Sequence, residues 1–463
     1  MAFGFVYDDH WTIEESPLDT PLLRLLSLLF RGAARARIPD ATRPMMVASV
    51  WLDHALFRDS PAGYHADSVL LYAVGCLVAL WAAFALTSRA RVAVVAALVF
   101  ALAPLHAEVA CSINYREDIF AAIGVLVPLA ILVRRQKATR GGELIALATF
   151  AMGLLAKEST TALVVVIAAA WAISPGVRSN LKEKRELLLG LAAVLLVWLW
   201  WRVGLVGRGD DVPRAHYAST TARLFAAARF FVRMGASTLV PLWPAPEHER
   251  LAPASPVWML ALAVWVVVVA VLARRATTRL LSLGLALAVL SSLPASPLFA
   301  PSNEIADRYG FLGVFGAGIF WGALASRVPR RFYTPVVVAA CVALFVLCQI
   351  AAAPWHDDYA LWSKATRCAP RSPRAWVGLS RASRLAGDLD EADRDVDRAI
   401  RLDPKFITAH VTRTYNLLAR GDVVAARDEL SVIHDLGGDR HAGVARAASC
   451  AAMSPDEARL CAR

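Results

Sequence analysis

A succession of apolar runs, each about as long as a membrane-spanning helix, constrains this chain most. Crossing the hydrocarbon core takes about 20 apolar residues. Runs near that length occur at about 67–87, 91–110, 118–133, 187–206, 256–273, 279–294, 309–325 and 333–353. Charged residues make up only 19% of the 463 residues and hydrophobic ones 57%, whereas soluble domains carry about 25% charge. The sequence therefore predicts an all-α, polytopic membrane protein.

The segment 143–174 is also apolar, but Lys157 and Glu158 interrupt it. A charge at the bilayer centre costs at least about 2.5 to 3.5 kcal/mol, so we expect two shorter helices with a turn at these residues. Basic clusters favour the cytoplasmic side, and an even number of crossings between them requires the same hairpin. Loop parity then gives ten crossings with these cytoplasmic clusters: Arg89/Arg91, Arg134/Arg135/Lys137/Arg140, Arg178/Lys182/Lys184/Arg185, Arg274/Arg275/Arg279 and Arg327/Arg330/Arg331.

Three domains follow from this topology. Residues 1–66 form a first extracytoplasmic loop with an acidic motif and two interfacial helices, at about 21–30 and 43–57. Residues 67–353 form the transmembrane domain, with an external loop at 207–255, and residues 354–463 form a soluble domain on the outside. Because an external loop needs a helix ahead of it, we expect an eleventh span upstream of Met1.

The net charge of +11 is explained by orientation in the membrane, since many basic residues lie in short loops, and we expect no nucleic-acid partner. Arginine supplies all but six of the 49 basic residues, which favours a bacterial inner membrane. Cys450 and Cys461 would pair in an oxidising compartment, but their spacing alone does not decide it.

The soluble domain contains a repeat of 34 residues, the period of the tetratricopeptide repeat. Such repeats predict a helical solenoid that begins with a helix near 359–367. Its surface is either a docking site for a partner or acceptor or a scaffold that packs on the membrane domain. The equivalent positions are Pro370 and Pro404, Gly387 and Gly421, and Ala392 and Ala426.

Polar groups collect at the predicted external helix ends. Interfacial charges are common and each group alone is unremarkable in a membrane protein, but their convergence on one face predicts a site. The groups are Tyr7-Asp8-Asp9-His10, His106-Ala-Glu108 with Arg116-Glu117-Asp118, Lys157-Glu158, Asn303-Glu304 with Asp307-Arg308-Tyr309, and the proline-rich 241–246.

The chemistry that fits this face is transfer from a lipid-anchored phosphate. A carboxylate, Asp8 or Asp9, would act as general base on an acceptor hydroxyl. Fixed cations would stabilise the phosphate leaving group, and the candidates are Arg116, Lys157 and Arg308. Supporting roles fall to His106, Glu108, Glu158 and Tyr309. A divalent metal on His106 and Glu108 stays open but is weakly signalled, since this spacing is too short to define a site.

The order of motifs resembles the membrane-embedded O-mannosyltransferases that carry tetratricopeptide repeats and, more broadly, the glycosyltransferases of the GT-C fold. The similarity rests on Phe5-Val6-Tyr7-Asp8-Asp9, Arg43-Pro44, Gly63-Tyr64-His65, Leu105-His106-Ala107-Glu108-Val109-Ala110, Ala156-Lys157-Glu158, Leu293-Pro294-Ala295-Ser296 and Asp307-Arg308-Tyr309. The resemblance implies a polyprenyl-phosphate sugar as donor. It also implies one residue of the Asp8-Asp9 pair as base in an inverting transfer, with the repeats on the side of the site.

Two departures from the family are visible in the sequence. The family's first helix is absent ahead of the acidic motif, and the family usually has Glu where this chain has Asp307. The leading hypothesis remains a glycosyltransferase moving a sugar, with mannose as one candidate, to a protein hydroxyl or glycan. The alternative is a non-catalytic membrane scaffold that recruits envelope proteins. A transporter comes third, because neither mid-membrane charges nor an inverted repeat are found.

Overall fold

A computed structural model describes residues 4–14, 18–30, 42–205, 219–242, 244–249, 255–299, 305–439 and 441–462. Every regular element in these ranges is a helix, which confirms the all-α class. The described residues form two compact units. The first holds those up to 244 and those from 255 to 353, and the second holds 245–249 and those from 354 onward.

Among the described residues, fifteen α-helices belong to the first unit, and most of them are apolar along their length. They are α1 (Leu22–Phe30), α2 (Pro44–Phe57), α3 (Pro61–Thr87), α4 (Ala90–Leu102), α5 (Ala107–Cys111), α6 (Arg116–Val133), α7 (Arg140–Ala156), α8 (Ala162–Ile173), α9 (Pro175–Glu183), α10 (Arg185–Trp200), α11 (Thr220–Leu239), α12 (Val257–Arg274), α13 (Arg279–Leu290), α14 (Gly313–Ala325) and α15 (Arg330–Ala352).

Among the described residues, five helical segments are long and apolar enough to cross a membrane. They contain α3, α10, α12, α13 and α15, and a sixth is added if α4 and the segment Pro104–Cys111, bent by 47°, form one span. Shorter apolar helices lie at Glu158–Ile173 and Gly313–Ala325. A membrane protein is therefore supported, while the predicted count of ten crossings stays a prediction.

The helix is interrupted at Lys157, where the sequence predicted a turn. Helix α7 ends at Ala156, and the backbone of Lys157 is extended, with φ −159° and ψ 143°. A 3₁₀ turn at Glu158–Thr161 then leads into α8. The break puts the Lys157 and Glu158 side chains at the junction of two helices rather than in the middle of one.

Glycines let α14 lie directly against α13 and α4. A Cβ on Gly318 would lie 2.7 Å from the backbone oxygen of Ala96 in α4. A Cβ on Gly316 would collide with the backbone of Ala288 in α13. We call Gly284, Gly316, Gly318 and Gly322 the glycine seam. Such small-residue contacts bring helix backbones close together, as is common between membrane helices.

The segment predicted as the external loop 207–255 contains a helix, α11. Its N-cap is Ser219, whose hydroxyl accepts a hydrogen bond from the Ala222 backbone N–H at 3.1 Å. Phe230 and Met234 on this helix are buried against Val289 of α13. The sequence analysis missed this apolar face because several arginines lower the hydropathy of the segment below that of a membrane-spanning helix.

The described part of the second unit contains seven α-helices. They are α16 (Asp358–Cys368), α17 (Pro373–Leu385), α18 (Leu389–Leu402), α19 (Ile407–Arg420), α20 (Val423–Asp435), α21 (Ala442–Ala451) and α22 (Pro455–Cys461). Gly387 and Gly421, 34 residues apart in the sequence, both follow the first helix of a pair with positive φ, at 89° and 81°. Asp388 and Asp422 then cap the next helices through their carboxylates. The tetratricopeptide assignment itself stays a prediction.

A disulfide joins Cys450 of α21 to Cys461 of α22, with the Cα atoms 5.7 Å apart. Cys450 is buried together with Leu418 of α19 and Ala426 of α20. The bond therefore ties the last two helices to the core of the second unit. The sequence alone did not decide whether these two cysteines pair, and in the structure they form a disulfide bond.

Candidate functional site

The two adjacent aspartates near the N-terminus have different surroundings. Asp9 is fully buried, and its Oδ1 accepts hydrogen bonds from the Ser112 hydroxyl at 2.9 Å and the Asn114 backbone N–H at 2.8 Å. Burial raises the pKa of Asp9, and the hydrogen bonds to Asn114 and Ser112 partly oppose that rise. Asp9 thus holds the N-terminal segment against the turn between α5 and α6.

Asp8 is half-buried, and its carboxylate has a different hydrogen-bond partner from that of Asp9. Its Oδ2 accepts a hydrogen bond of 2.8 Å from the Tyr115 hydroxyl. The guanidinium of Arg308 lies over the ring of Tyr115, with its Cζ atom 4.4 Å from the ring centroid. A carboxylate and a cation are therefore held on either side of one tyrosine.

Arg308 stands on the 3₁₀ turn Asp307–Gly310, just before α14. Its backbone N–H donates to Glu108 Oε2 at 3.0 Å, and its guanidinium forms an ion pair with Glu108 Oε1. Burial acts to lower the pKa of Arg308, but Tyr115, Glu108, Tyr309 and Asp8 raise it well above its ordinary value. Arg308 therefore keeps its charge beside Asp8 although its side chain is only 11% exposed.

A second group of charges runs across the ends of four helical segments, and we call it the ion-pair chain. Lys157 Nζ lies 2.5 Å from Asp118 Oδ2 and 2.9 Å from Glu117 Oε1. Glu117 Oε2 is 2.6 Å from Arg43, and Arg43 continues to Glu158 at 3.4 Å. Glu158 ends the chain at Arg202, at 3.0 Å.

The ion-pair chain and the Arg308 cluster lie within electrostatic range of each other. Burial acts to lower the pKa of Lys157, as do the charges of Arg43 and Arg308, but Asp118 and Glu117 raise it overall. Burial raises the pKa of Tyr309, while Arg308, Lys157 and Arg43 act to lower it. The Cζ atom of Arg308 lies 5.3 Å from the centroid of the Tyr309 ring. The predicted convergence of all the polar groups stays a prediction.

Arg116 has a different set of ion-pair partners from the ion-pair chain. Its guanidinium is fully buried and is held by Asp53 Oδ2 at 2.7 Å, Asp67 Oδ2 at 3.2 Å and the Ser68 hydroxyl at 2.9 Å. These contacts tie the start of α6 to α2 and α3. Arg116 was predicted as a phosphate-binding cation, but its visible contacts are those of a structural anchor.

His106 is likewise placed in a packed interior. One ring nitrogen lies 2.9 Å from the Tyr72 hydroxyl and the other 3.1 Å from the Phe311 carbonyl oxygen, with the Phe311 ring centroid 4.1 Å away. Its partner in the weakly signalled metal site, Glu108, is engaged by Arg308. In the part of the chain that the structure describes, no three His, Cys, Asp or Glu side chains are grouped to hold a metal ion.

Comparison with known proteins gives relatives of one kind. The chain is 21% identical over 424 residues to Protein O-mannosyl-transferase F38B6.6 of Caenorhabditis elegans, covering 88% of this chain and 61% of that protein. It is 31% identical over 144 residues to Protein O-mannosyl-transferase TMTC1 of Mus musculus, covering 30% of this chain and 15% of that protein. The chain is O-mannosyltransferase-like. This similarity confirms the resemblance inferred from the motifs.

No family model matches the chain, and no solved structure matches it. The chain spans 61% of the length of the worm relative and 15% of the length of the mouse one. The site of this O-mannosyltransferase-like chain must therefore be argued from its own residues.

Two members of the site were given no role from the sequence. Tyr115, which links Asp8 to Arg308, was not named, and Arg43, which links Glu117 to Glu158, was named only as part of the Arg43-Pro44 motif. The only signal for Tyr115 was its place directly before the charged Arg116-Glu117-Asp118 turn. The proposed residues Asn303 and Glu304 lie outside the described ranges, while 241–246 is described except for Trp243.

Proposed function

We propose that the chain is a membrane glycosyltransferase that moves a sugar, with mannose as the first candidate, from a polyprenyl-phosphate donor to a protein hydroxyl or glycan. The observation that carries this proposal is that Tyr115 contacts both the half-buried Asp8 carboxylate and the Arg308 cation, whose side chain is 11% exposed. The similarity to proteins named O-mannosyl-transferases supports the same reaction class.

In this mechanism Asp8 is the general base. It takes the proton of the acceptor hydroxyl as the hydroxyl oxygen attacks the anomeric carbon from the face opposite the phosphate. The bond from that carbon to the phosphate oxygen breaks, the configuration inverts, and polyprenyl phosphate leaves. Arg308, with Lys157 and Arg43 nearby, stabilises the charge of the leaving phosphate. Asp9 holds the segment that carries Asp8.

We also propose that transfer takes place on the extracytoplasmic side, in a bacterial inner membrane facing the periplasm. The disulfide between Cys450 and Cys461 supports an oxidising compartment for the second unit. The helices of that unit would present the acceptor or a partner protein. The donor reaches the site from the surrounding lipid.

One observation favours the second candidate, a non-catalytic scaffold that recruits envelope proteins. Lys157 and Arg43 are each bonded to two carboxylates, so the ion-pair chain also suits a purely structural role. Buried ion pairs of this kind hold parts of a fold in one arrangement. The glycosyltransferase requires the Asp8 carboxylate for its activity, whereas the scaffold does not, so replacing Asp8 distinguishes the two candidates.

The deciding experiment incubates the purified full chain with a panel of polyprenyl-phosphate sugars and measures released polyprenyl phosphate. We expect release with at least one donor, loss of release in Asp8→Asn, and normal release in the control Asp59→Asn, an exposed aspartate of the same region. Full activity in Asp8→Asn rejects the assignment of the base. Partner binding that survives Asp8→Asn, with no release from any donor, supports the scaffold.

A further inference from the structure

Tyr115 contacts both the proposed base, Asp8, and the proposed cation, Arg308. It ends the 3₁₀ turn Ile113–Tyr115 and is 2% exposed. The turn is fixed to the N-terminal segment because Asp9 accepts hydrogen bonds from Ser112, at its N-cap, and from Asn114 within it. The ring of Tyr7 also contacts the ring of Tyr115, at a centroid distance of 5.9 Å. The position of Tyr115 relative to Asp8 is therefore supported by contacts other than their own hydrogen bond.

The two ends of this side chain do different things. The hydroxyl donates to Asp8 Oδ2 at 2.8 Å, which directs one oxygen of the carboxylate. Burial raises the pKa of the Tyr115 phenol well above its usual value, with Asp8 and Glu108 adding to the rise and Arg308 opposing it. The hydroxyl therefore keeps its proton and acts as a donor at neutral pH.

The ring of Tyr115 meets the guanidinium of Arg308 at 4.4 Å, a cation–π contact. Glu108 holds Arg308 through both its backbone N–H and its guanidinium. The ring and Glu108 together leave the guanidinium few orientations. A planar cation restricted in this way is preorganised for a phosphate, which lowers the cost of ordering it when the donor arrives.

We propose that Tyr115 is a positioning residue for glycosyl transfer, whose hydroxyl orients the Asp8 carboxylate and whose ring orients the Arg308 guanidinium toward the donor phosphate. This rests on the proposed function. The two roles can be distinguished by kinetics. Orienting the base affects only the chemical step and therefore kcat, whereas orienting the cation also affects donor binding and therefore the donor KM.

The test compares Tyr115→Phe, which removes only the hydroxyl, with Tyr115→Leu, which also removes the ring. The probe is the polyprenyl-phosphate sugar that the wild type uses best. We expect Tyr115→Phe to lower kcat about tenfold with the donor KM unchanged, the size expected for losing one hydrogen bond to a charged group. Tyr115→Leu should lower kcat as much and also raise the donor KM about tenfold.

The chain offers a matched control in Tyr333. Its hydroxyl donates to the Arg91 carbonyl oxygen at 3.2 Å, and its ring lies under the Arg91 guanidinium at 5.0 Å. Tyr333→Phe and Tyr333→Leu therefore remove the same kinds of contact away from the site, and should leave both kcat and KM unchanged.

All variants are compared per folded molecule, after measuring thermal unfolding in detergent. If Tyr115→Leu does not accumulate, Arg308→Lys decides the second role, since it keeps the charge but loses the planar stack and should raise the donor KM. Wild-type kcat in Tyr115→Phe, or an unchanged donor KM when the stack is lost, overturns the inference while the proposed function stands. An inactive wild type rejects the proposed function, and this inference with it.

Discussion

The Oδ1 oxygen of Asp9 accepts a hydrogen bond of 2.8 Å from the backbone N–H of Asn114, across 105 residues of sequence. The carboxylate of the neighbouring Asp8 accepts a hydrogen bond from the Tyr115 hydroxyl instead. Two aspartates that are adjacent in the sequence therefore have different partners. Asp9 anchors the N-terminal segment to the turn before α6, and Asp8 is the residue that we propose as the base.

Asp9→Ala should unfold more easily than the wild type. The substitution leaves the Ser112 hydroxyl and the Asn114 N–H without their buried acceptor, and each such loss costs about 1 to 3 kcal/mol. Transfer should be lost together with stability. Thermal unfolding in detergent measures the effect, with Asp8→Ala as the matched variant, which should lose transfer with a smaller drop in midpoint. Equal midpoints for Asp9→Ala and the wild type would contradict the anchoring role.

Lys157→Met should be among the most destabilising substitutions in the first unit. It leaves the buried Asp118 without its cation and removes the ammonium group 2.9 Å from Glu117, and breaking a buried ion pair costs about 3 to 5 kcal/mol. The exposed Lys137→Met provides the control and should unfold like the wild type.

A double variant separates the lost pair from lost packing at Lys157. Lys157→Met with Asp118→Asn removes the unpaired charge and should recover part of the stability, because the penalty comes from leaving a charge buried alone. No recovery in the double variant would show that the ion-pair chain is not what Lys157 stabilises. Chemical unfolding of the detergent-solubilised chain gives the free energies.

The Cys450–Cys461 bond should stabilise the second unit. Replacing both cysteines by serine should lower the resistance of α19–α22 to proteolysis in urea, with a loss of about 2 to 4 kcal/mol. Cys368→Ser, a free cysteine of the same unit, is the control. Alkylation of the unreduced protein should leave Cys450 and Cys461 unlabelled, and labelling of both in membrane-extracted protein would also argue against an oxidising compartment.

Asp395→Asn should make the second unit more stable at pH 7. Burial, and next Glu391, raise the pKa of Asp395 from 3.8 to about 6, and the residue is 7% exposed. Between these values the folded chain binds more protons than the unfolded one, so stability falls as pH rises through that window.

The gain at pH 7 should reach up to about 3 kcal/mol, the equivalent of two pKa units, and should vanish below about pH 4. Urea-dependent proteolysis of the full chain at both pH values measures it. Asp435→Asn, an exposed aspartate of α20, should change stability at neither pH. A variant that gains equally at both pH values would show that charge burial at Asp395 is not the cause.

Features that depend on local composition were predictable from the sequence. Apolar runs predicted the long helices, and the free-energy cost of a charge at the bilayer centre predicted the helix break at Lys157. The Gly-Asp pairs at 387–388 and 421–422 marked helix ends because glycine tolerates positive φ and aspartate caps the next helix.

The partners of charged side chains were not predictable. Nothing local to Arg116 says that Asp53 and Asp67 will enclose it, so it looked like a free cation for phosphate. His106 was given a supporting role, with a metal site left open, because its contacts Tyr72 and Phe311 are distant in sequence and could not be foreseen. Helix α11 was missed for a different reason, since its arginines concealed a buried apolar face that only tertiary packing uses.

The glycine seam has a consequence for how the site can open. Since α14 touches α13 and α4 through backbone, with little side-chain volume to rearrange, these three helices are expected to move as a single block. Arg308 lies at the start of that block, whereas Asp8 belongs to the N-terminal segment, which is held by hydrogen bonds and by apolar packing around Ile13 and Tyr64. Under the proposed function, the cation would therefore stay in place as a bulky lipid enters, so that the donor phosphate meets a guanidinium that needs no rearrangement.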